Sequence, residues 1–113
     1  MDKNSPQEFS SIDRENMLAH IDGLPDQLAA AWELGSSLPL PIKLPVDRII
    51  VAGMGGSAIG ADLVGGYLED VLNIPFVVHR NYGLPPYAQG ENTLVIASSH
   101  SGNTEEVISA FET

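Results

Sequence analysis

Cysteine is absent from this chain. That excludes disulfides, thiolate catalysis and cysteine-held metals, and it fits a reducing compartment such as the cytoplasm. Basic residues are scarce: 5 Lys and Arg stand against 15 Asp and Glu, for a formal net charge of −10. So acidic a chain repels nucleic acid and anionic membrane surfaces, and neither is an expected partner. Its acids are spread along the sequence as a solvated surface and form no tail. Long apolar runs are also missing, since none approaches the roughly 20 residues needed to cross a bilayer. The opening MDKNSPQEFSSID lacks the apolar core of a signal peptide. No metal-ligand spacing surrounds His20, and no metal is expected.

What is present suffices for a fold. The 113 residues are 43% hydrophobic, enough for one small domain with one core. Residues 1–46 read as an N-terminal helical segment and a Pro-rich linker, and residues 47–113 as the first part of an α/β domain. Within the former, residues 1–11 are polar and expected to fray. Asp13 is a suitable N-cap for a helix ending near Asp22, with Met17, Leu18 and Ile21 as its apolar stripe. Gly23 ends it. Pro25 then suits a first helical position, and a second helix over residues 25–34 carries Leu28, Ala29, Trp32 and Leu34. Gly35, Ser36, Ser37, Pro39, Pro41 and Pro45 mark a linker.

From Asp47 onward the pattern changes. Arg48-Ile49-Ile50-Val51-Ala52 is a short, β-branched, nearly all-apolar run, as expected of a strand buried on both faces of a parallel sheet. The glycine loop Gly53-Met54-Gly55-Gly56-Ser57-Ala58 follows it. Residues 59–70 read as a helix with Ile59, Leu63, Val64 and Leu68 near helical spacing, and the small Gly65 and Gly66 allow close packing. Residues 75–79 form the second strand, 81–86 a loop and 93–98 the third strand. Residues 104–113 then start a helix with Val107, Ile108 and Phe111 inward.

The stretch TLVIASSHSGNTEE, residues 93–106, is the most informative. An apolar strand ends in small hydroxyl residues, Ser98, Ser99, Ser101 and Thr104, and acids then open a helix. The first turn of a helix leaves its N–H donors unpaired and carries partial positive charge, so such a loop can hold a phosphate without Lys or Arg. Taken alone, the stretch reads first as a turn and a helix cap. A second loop alters the balance, because ligands of parallel sheets bind beyond the carboxyl ends of the strands, where both loops lie. If the third strand lies beside the first, the loops and two helix N-termini converge.

The glycine loop is open to three readings. The spacing Gly53-x-Gly55-x-x-Ala58 meets the dinucleotide fingerprint in its G/A form, yet His79 and Arg80 stand where that fingerprint wants an acid. Arg80 would suit a 2′-phosphate, which keeps an NADP-binding fragment as a lesser alternative. The P-loop pattern fails for want of a Lys. The third reading is structural: the glycines permit a tight turn and close helix–strand packing.

Together, Gly53-Met54-Gly55-Gly56-Ser57 and Ser99-His100-Ser101-Gly102-Asn103-Thr104 resemble the sugar isomerase (SIS) family. More narrowly, they resemble the N-terminal half of its bifunctional phosphoglucose/phosphomannose isomerases. Leu24-Pro25-Asp26-Gln27 and Arg80-Asn81-Tyr82-Gly83-Leu84-Pro85 are similar to that group too, so the likeness runs from about residue 17 onward. It implies a Rossmann-like, three-layer α/β fold with a parallel sheet, here incomplete, and it implies binding of a sugar phosphate. By that resemblance Ser99, Ser101 and Thr104 hold the phosphate, while Gly55, Gly56 and Ser57 line the sugar. His100, where the family has an aromatic residue, and Arg80 are candidate additional contacts.

Aldose–ketose isomerisation needs a base, a ring-opening acid and a charge to steady the enediolate. The resemblance draws the base and the histidine from a later half of the enzyme. No residue is therefore assigned a catalytic role, and Glu105 and Glu106 read as first-turn acids that stabilise their helix. No cofactor is expected. The alternative is a regulatory or binding-only module of the same type. The sequence stops in mid-helix by pattern, so the expectation is a fragment of a longer enzyme, inactive alone. A sheet with open edges further predicts a homodimer or larger assembly.

Overall fold

The computed structural model describes residues 10–42 and 45–113. The fraying expected of residues 1–9, and the part of the linker at residues 43–44, lie outside the described residues. The chain divides into two compact units, Met1–Ile42 and Lys43–Thr113.

Among its described residues the first unit has a helical turn at residues 10–12 and then two helices, α1 (Met17–Asp22) and α2 (Leu24–Ser37). The Asp13 carboxylate accepts the Met17 and Leu18 N–H groups at 2.7 Å each. The helix itself starts later than expected, because Asn16 adopts a left-handed conformation with φ 56°. Gly23 joins the helices, and its N–H donates to the Ala19 carbonyl at 3.0 Å. α2 also runs past Leu34, through Gly35, Ser36 and Ser37, which the sequence assigned to the linker. The obstacle to a helix is proline, and the first lies at Pro39. The Leu38 N–H therefore still reaches the Leu34 carbonyl at 3.1 Å, and the Ser37 hydroxyl donates to the same oxygen at 3.0 Å. Neither helix buries a residue, and Trp32 is 75% exposed.

The second unit is α/β and Rossmann-like. Three strands, β1 (Arg48–Ala52), β2 (Phe76–His79) and β3 (Thr93–Ala97), form a parallel sheet in the order β2-β1-β3. Helix α3 (Gly55–Leu68) links β1 to β2 and packs on both, while α4 (Glu105–Glu112) follows β3 and packs on β3 and β1. β1 is central and becomes the core: Ile50, Val51 and Ala52 are buried with Ala58, Ala61, Val107 and Ala110. The register pairs Ile50 with Val77 on one side and with Val95 on the other. The link from β2 to β3 is irregular. It is pinned to the start of β1 where the Asp47 N–H donates to the Asn92 carbonyl at 2.7 Å, and where the Arg48 guanidinium donates to the Tyr87 carbonyl.

Three expectations about helices are corrected. α3 begins at Gly55 rather than Ile59, because Gly55 takes φ +52° and turns the chain directly out of the strand. Its inward face is Ala58 and Ala61, while Ile59, Leu63 and Val64 are exposed. Small residues win that face because the helix lies close to the sheet: a Cβ on Gly65 would stand 3.0 Å from Phe76 Cδ1. Gly66, by contrast, faces open space. In α4 Val107 is buried as expected, but its companion is Ala110, and Ile108 and Phe111 are exposed.

Candidate functional site

β1 and β3 are neighbours and end level, with Ala52 opposite Ala97. The two special loops therefore leave the sheet side by side. The Ser98 N–H donates to the Ala52 carbonyl at 2.8 Å, and the Gly53 N–H donates to the His79 carbonyl at 3.1 Å. A Cβ on the buried Gly53 would lie 3.4 Å from the Ser98 carbonyl oxygen, from Ser57 C and from Ala58 N. That spot is where the glycine turn, the start of α3 and the start of the serine loop meet.

Each loop feeds a helix N-terminus without a side-chain cap. Met54 precedes α3 in extended conformation, and Thr104 precedes α4 likewise; neither makes a capping hydrogen bond from its side chain. The Ser57 N–H turns back to the Met54 carbonyl at 3.1 Å, and the Ile108 N–H to the Thr104 carbonyl at 3.0 Å. Before those closures, the N–H groups of Gly55 and Gly56, and of Glu105, Glu106 and Val107, have no intrahelical acceptor. These donors and the helix dipoles favour an anion.

The serine loop gathers its hydroxyls. Ser99 Oγ lies 2.9 Å from Thr104 Oγ1 and 3.5 Å from Ser101 Oγ. Ser99 Oγ also accepts the Gly102 N–H at 3.0 Å, and Ser101 Oγ accepts the Asn103 N–H at 3.1 Å. Both serine oxygens thus take a backbone donor, and one hydroxyl of the Ser99–Thr104 pair donates its proton to the other. Gly102 closes the turn at φ +73°, a conformation that favours glycine.

Of the residues singled out from the sequence, Ser99, Ser101 and Thr104 come together, and Gly55, Gly56 and Ser57 form the first turn of α3 beside them. His100 is exposed in the serine loop. Arg80 forms an ion pair with Asp62 of α3, and both side chains are nearly half-exposed. Among the described residues no three His, Asp or Glu side chains are grouped so as to hold a metal ion, and no helix is long and apolar enough to cross a membrane. A groove of about 360 Å³ lined by Gly65, Gly66, Leu68, Leu72, Ile74 and Phe76 lies toward the amino end of β2, opposite the loops.

The sequence reading missed Tyr82. Its hydroxyl donates to Glu105 Oε2 at 3.0 Å, and the next residue's N–H, that of Gly83, donates to Ser109 Oγ at 3.0 Å. The bond to Glu105, then the charges of Glu105 and Glu106, raise the Tyr82 phenol above its ordinary value. These partners are 23 and 26 residues apart, and only the crossover from β2 to β3 joins them, so no local pattern could have signalled them.

No protein-family model and no solved structure matches the chain. Curated proteins do. A bifunctional phosphoglucose/phosphomannose isomerase of Caldicellulosiruptor bescii is 42% identical over 97 residues, 85% of this chain and 28% of that protein. The enzyme of the same name from Aquifex aeolicus is 42% identical over 69 residues, 60% of this chain and 21% of its own length. That from Thermoplasma acidophilum is 44% identical over 66 residues, 58% of this chain and 20% of its own. The chain thus spans under a third of the length of these relatives, and over that span its sequence is similar to the bifunctional phosphoglucose/phosphomannose isomerases.

Proposed function

We propose that the chain is a sugar-phosphate-binding unit of the SIS type, part of an aldose–ketose isomerase like its relatives. The observation that carries this reading is the cluster of Ser99, Ser101 and Thr104 hydroxyls, with Thr104 2.9 Å from Ser99, at the N-terminus of α4 beside the glycine turn. A phosphate there takes the hydroxyl protons and the free N–H groups of α4's first turn. The sugar lies toward Gly55, Gly56 and Ser57, where the lack of side chains on the two glycines leaves room. His100 is the loop residue free to reach the ligand. Arg80, paired with Asp62, is a weaker candidate, and nothing further favours a dinucleotide.

The binding-only reading gains one observation: Glu105, the acid nearest the hydroxyl cluster in sequence, is already engaged by Tyr82. The chain by itself binds and does not isomerise, and it works as a dimer or larger assembly in the cytoplasm. Calorimetric titration with glucose 6-phosphate, with glucose as control, tests the binding role. The phosphorylated sugar should bind and glucose should not, whereas equal binding of both overturns the reading. Ser101→Ala should remove one hydrogen bond to a charged group and cost roughly 1.5–3 kcal/mol of binding.

A further inference from the structure

We propose that Tyr82 is a positioning residue for the anion site, holding the Glu105 carboxylate off the N–H donors of α4 so that a phosphate meets them instead. The inference rests on the sugar-phosphate reading above. Glu105 is the first residue of α4 and follows Thr104 of the hydroxyl cluster. A first-turn carboxylate is drawn to the positive end of its own helix. There it would compete with an incoming phosphate for the same donors and repel it. In this structure the Glu105 carboxylate takes none of those N–H groups. Its Oε2 accepts the Tyr82 hydroxyl at 3.0 Å.

The backbone of the turn that carries Tyr82 is itself held in place. The Tyr82 N–H donates to Asn81 Oδ1 at 2.8 Å, and the Tyr82 carbonyl lies 3.3 Å from His79 Nε2. The Gly83 N–H grips Ser109 at 3.0 Å, one turn below Glu105, and residues four apart share a helix face. The turn over residues 81–83 therefore clasps α4 at two successive positions of one face. The Glu106 side chain makes no hydrogen bond among the described residues, so it is the natural comparison.

The test is a double-mutant cycle read by glucose 6-phosphate affinity, on Tyr82→Phe, Glu105→Gln and the two combined, with Glu106→Gln carried in parallel. Tyr82→Phe frees the carboxylate and should weaken binding about threefold or more. Glu105→Gln should improve binding by a larger factor when Tyr82 is absent than when it is present, and so restore the loss. Glu106→Gln should give the same factor in both backgrounds. Additive effects of Tyr82→Phe and Glu105→Gln, or a Tyr82→Phe loss that Glu105→Gln does not restore, reduce Tyr82 to a packing residue and overturn the inference while the site stands. A wild-type chain that binds glucose 6-phosphate no better than glucose overturns the site, and this inference with it.

Discussion

Asp13 lies four residues before α1 proper, yet its carboxylate accepts the N–H groups of Met17 and Leu18 at 2.7 Å each. The bond from Leu18, then that from Met17, lowers its pKa from the ordinary 3.8. A carboxyl depressed in the folded state stabilises above its ordinary value, and that contribution is lost as pH falls through the lower, folded value. The amide protons of Met17 and Leu18 should therefore lose protection from exchange on acidification below about 3.8. Asp13→Ala should abolish their protection at neutral pH. Protection unchanged in that variant would mean that α1 needs no cap. An acid near a helix start is a local feature, so Asp13 is legible as an acceptor for first-turn N–H groups, although the N-cap position itself is Asn16. The start moves to Met17 because Asn16 is left-handed, a conformation that Asn tolerates better than most residues.

At the scale of the element, the strands were the legible part. Ile49-Ile50-Val51, Phe76-Val77-Val78 and Leu94-Val95-Ile96 are compact runs that fit a sheet and little else. Strand order was not legible, since it is set by crossovers rather than by local pattern. Helical spacing of the large apolar residues does not mark the buried faces of these helices. α3 approaches the sheet through Ala58, Ala61 and Gly65, and its larger apolar residues are left outside.

The two glycines of α3 separate helix propensity from packing. Gly66→Ala meets open space, so it should stabilise by about 0.5–1 kcal/mol through propensity alone. Gly65→Ala sets the same gain against a Cβ 3.0 Å from the Phe76 ring, and Gly65→Val should be net destabilising by roughly 1–3 kcal/mol. Urea midpoints of the variants check this. A Gly65→Val chain as stable as Gly66→Ala would show that α3 is free to lift off β2.

For the whole molecule, the distribution of apolar surface matters most. Leu28 and Trp32 of α2, Leu63 and Tyr67 of α3, and Phe111 of α4 are each at least 70% exposed. β2 and β3 both have an unpaired edge in the described sheet. Surface of this kind is a site for association, and light scattering should find more than one chain per particle. A stable monomer at high concentration would contradict that. A coupled isomerase assay on the 113-residue chain should read background. Turnover lost in Glu105→Gln would instead reassign that acid to catalysis.

The candidate site sits between these levels. Its residue types stand out in the sequence only as a pair, since hydroxyls and glycines in a single loop serve equally well as a turn and a helix cap. Its assembly depended on β3 lying beside β1, which the sequence could only pose as a condition. The most direct measurement follows backbone amide resonances while glucose 6-phosphate is added, with glucose as the parallel control. The account predicts the largest shifts at Gly55, Gly56 and Ser57 and from Ser99 to Val107, with the phosphorylated sugar only. Shifts centred on Gly65, Leu72 and Phe76 at the opposite groove, or the same shifts with glucose, would contradict it.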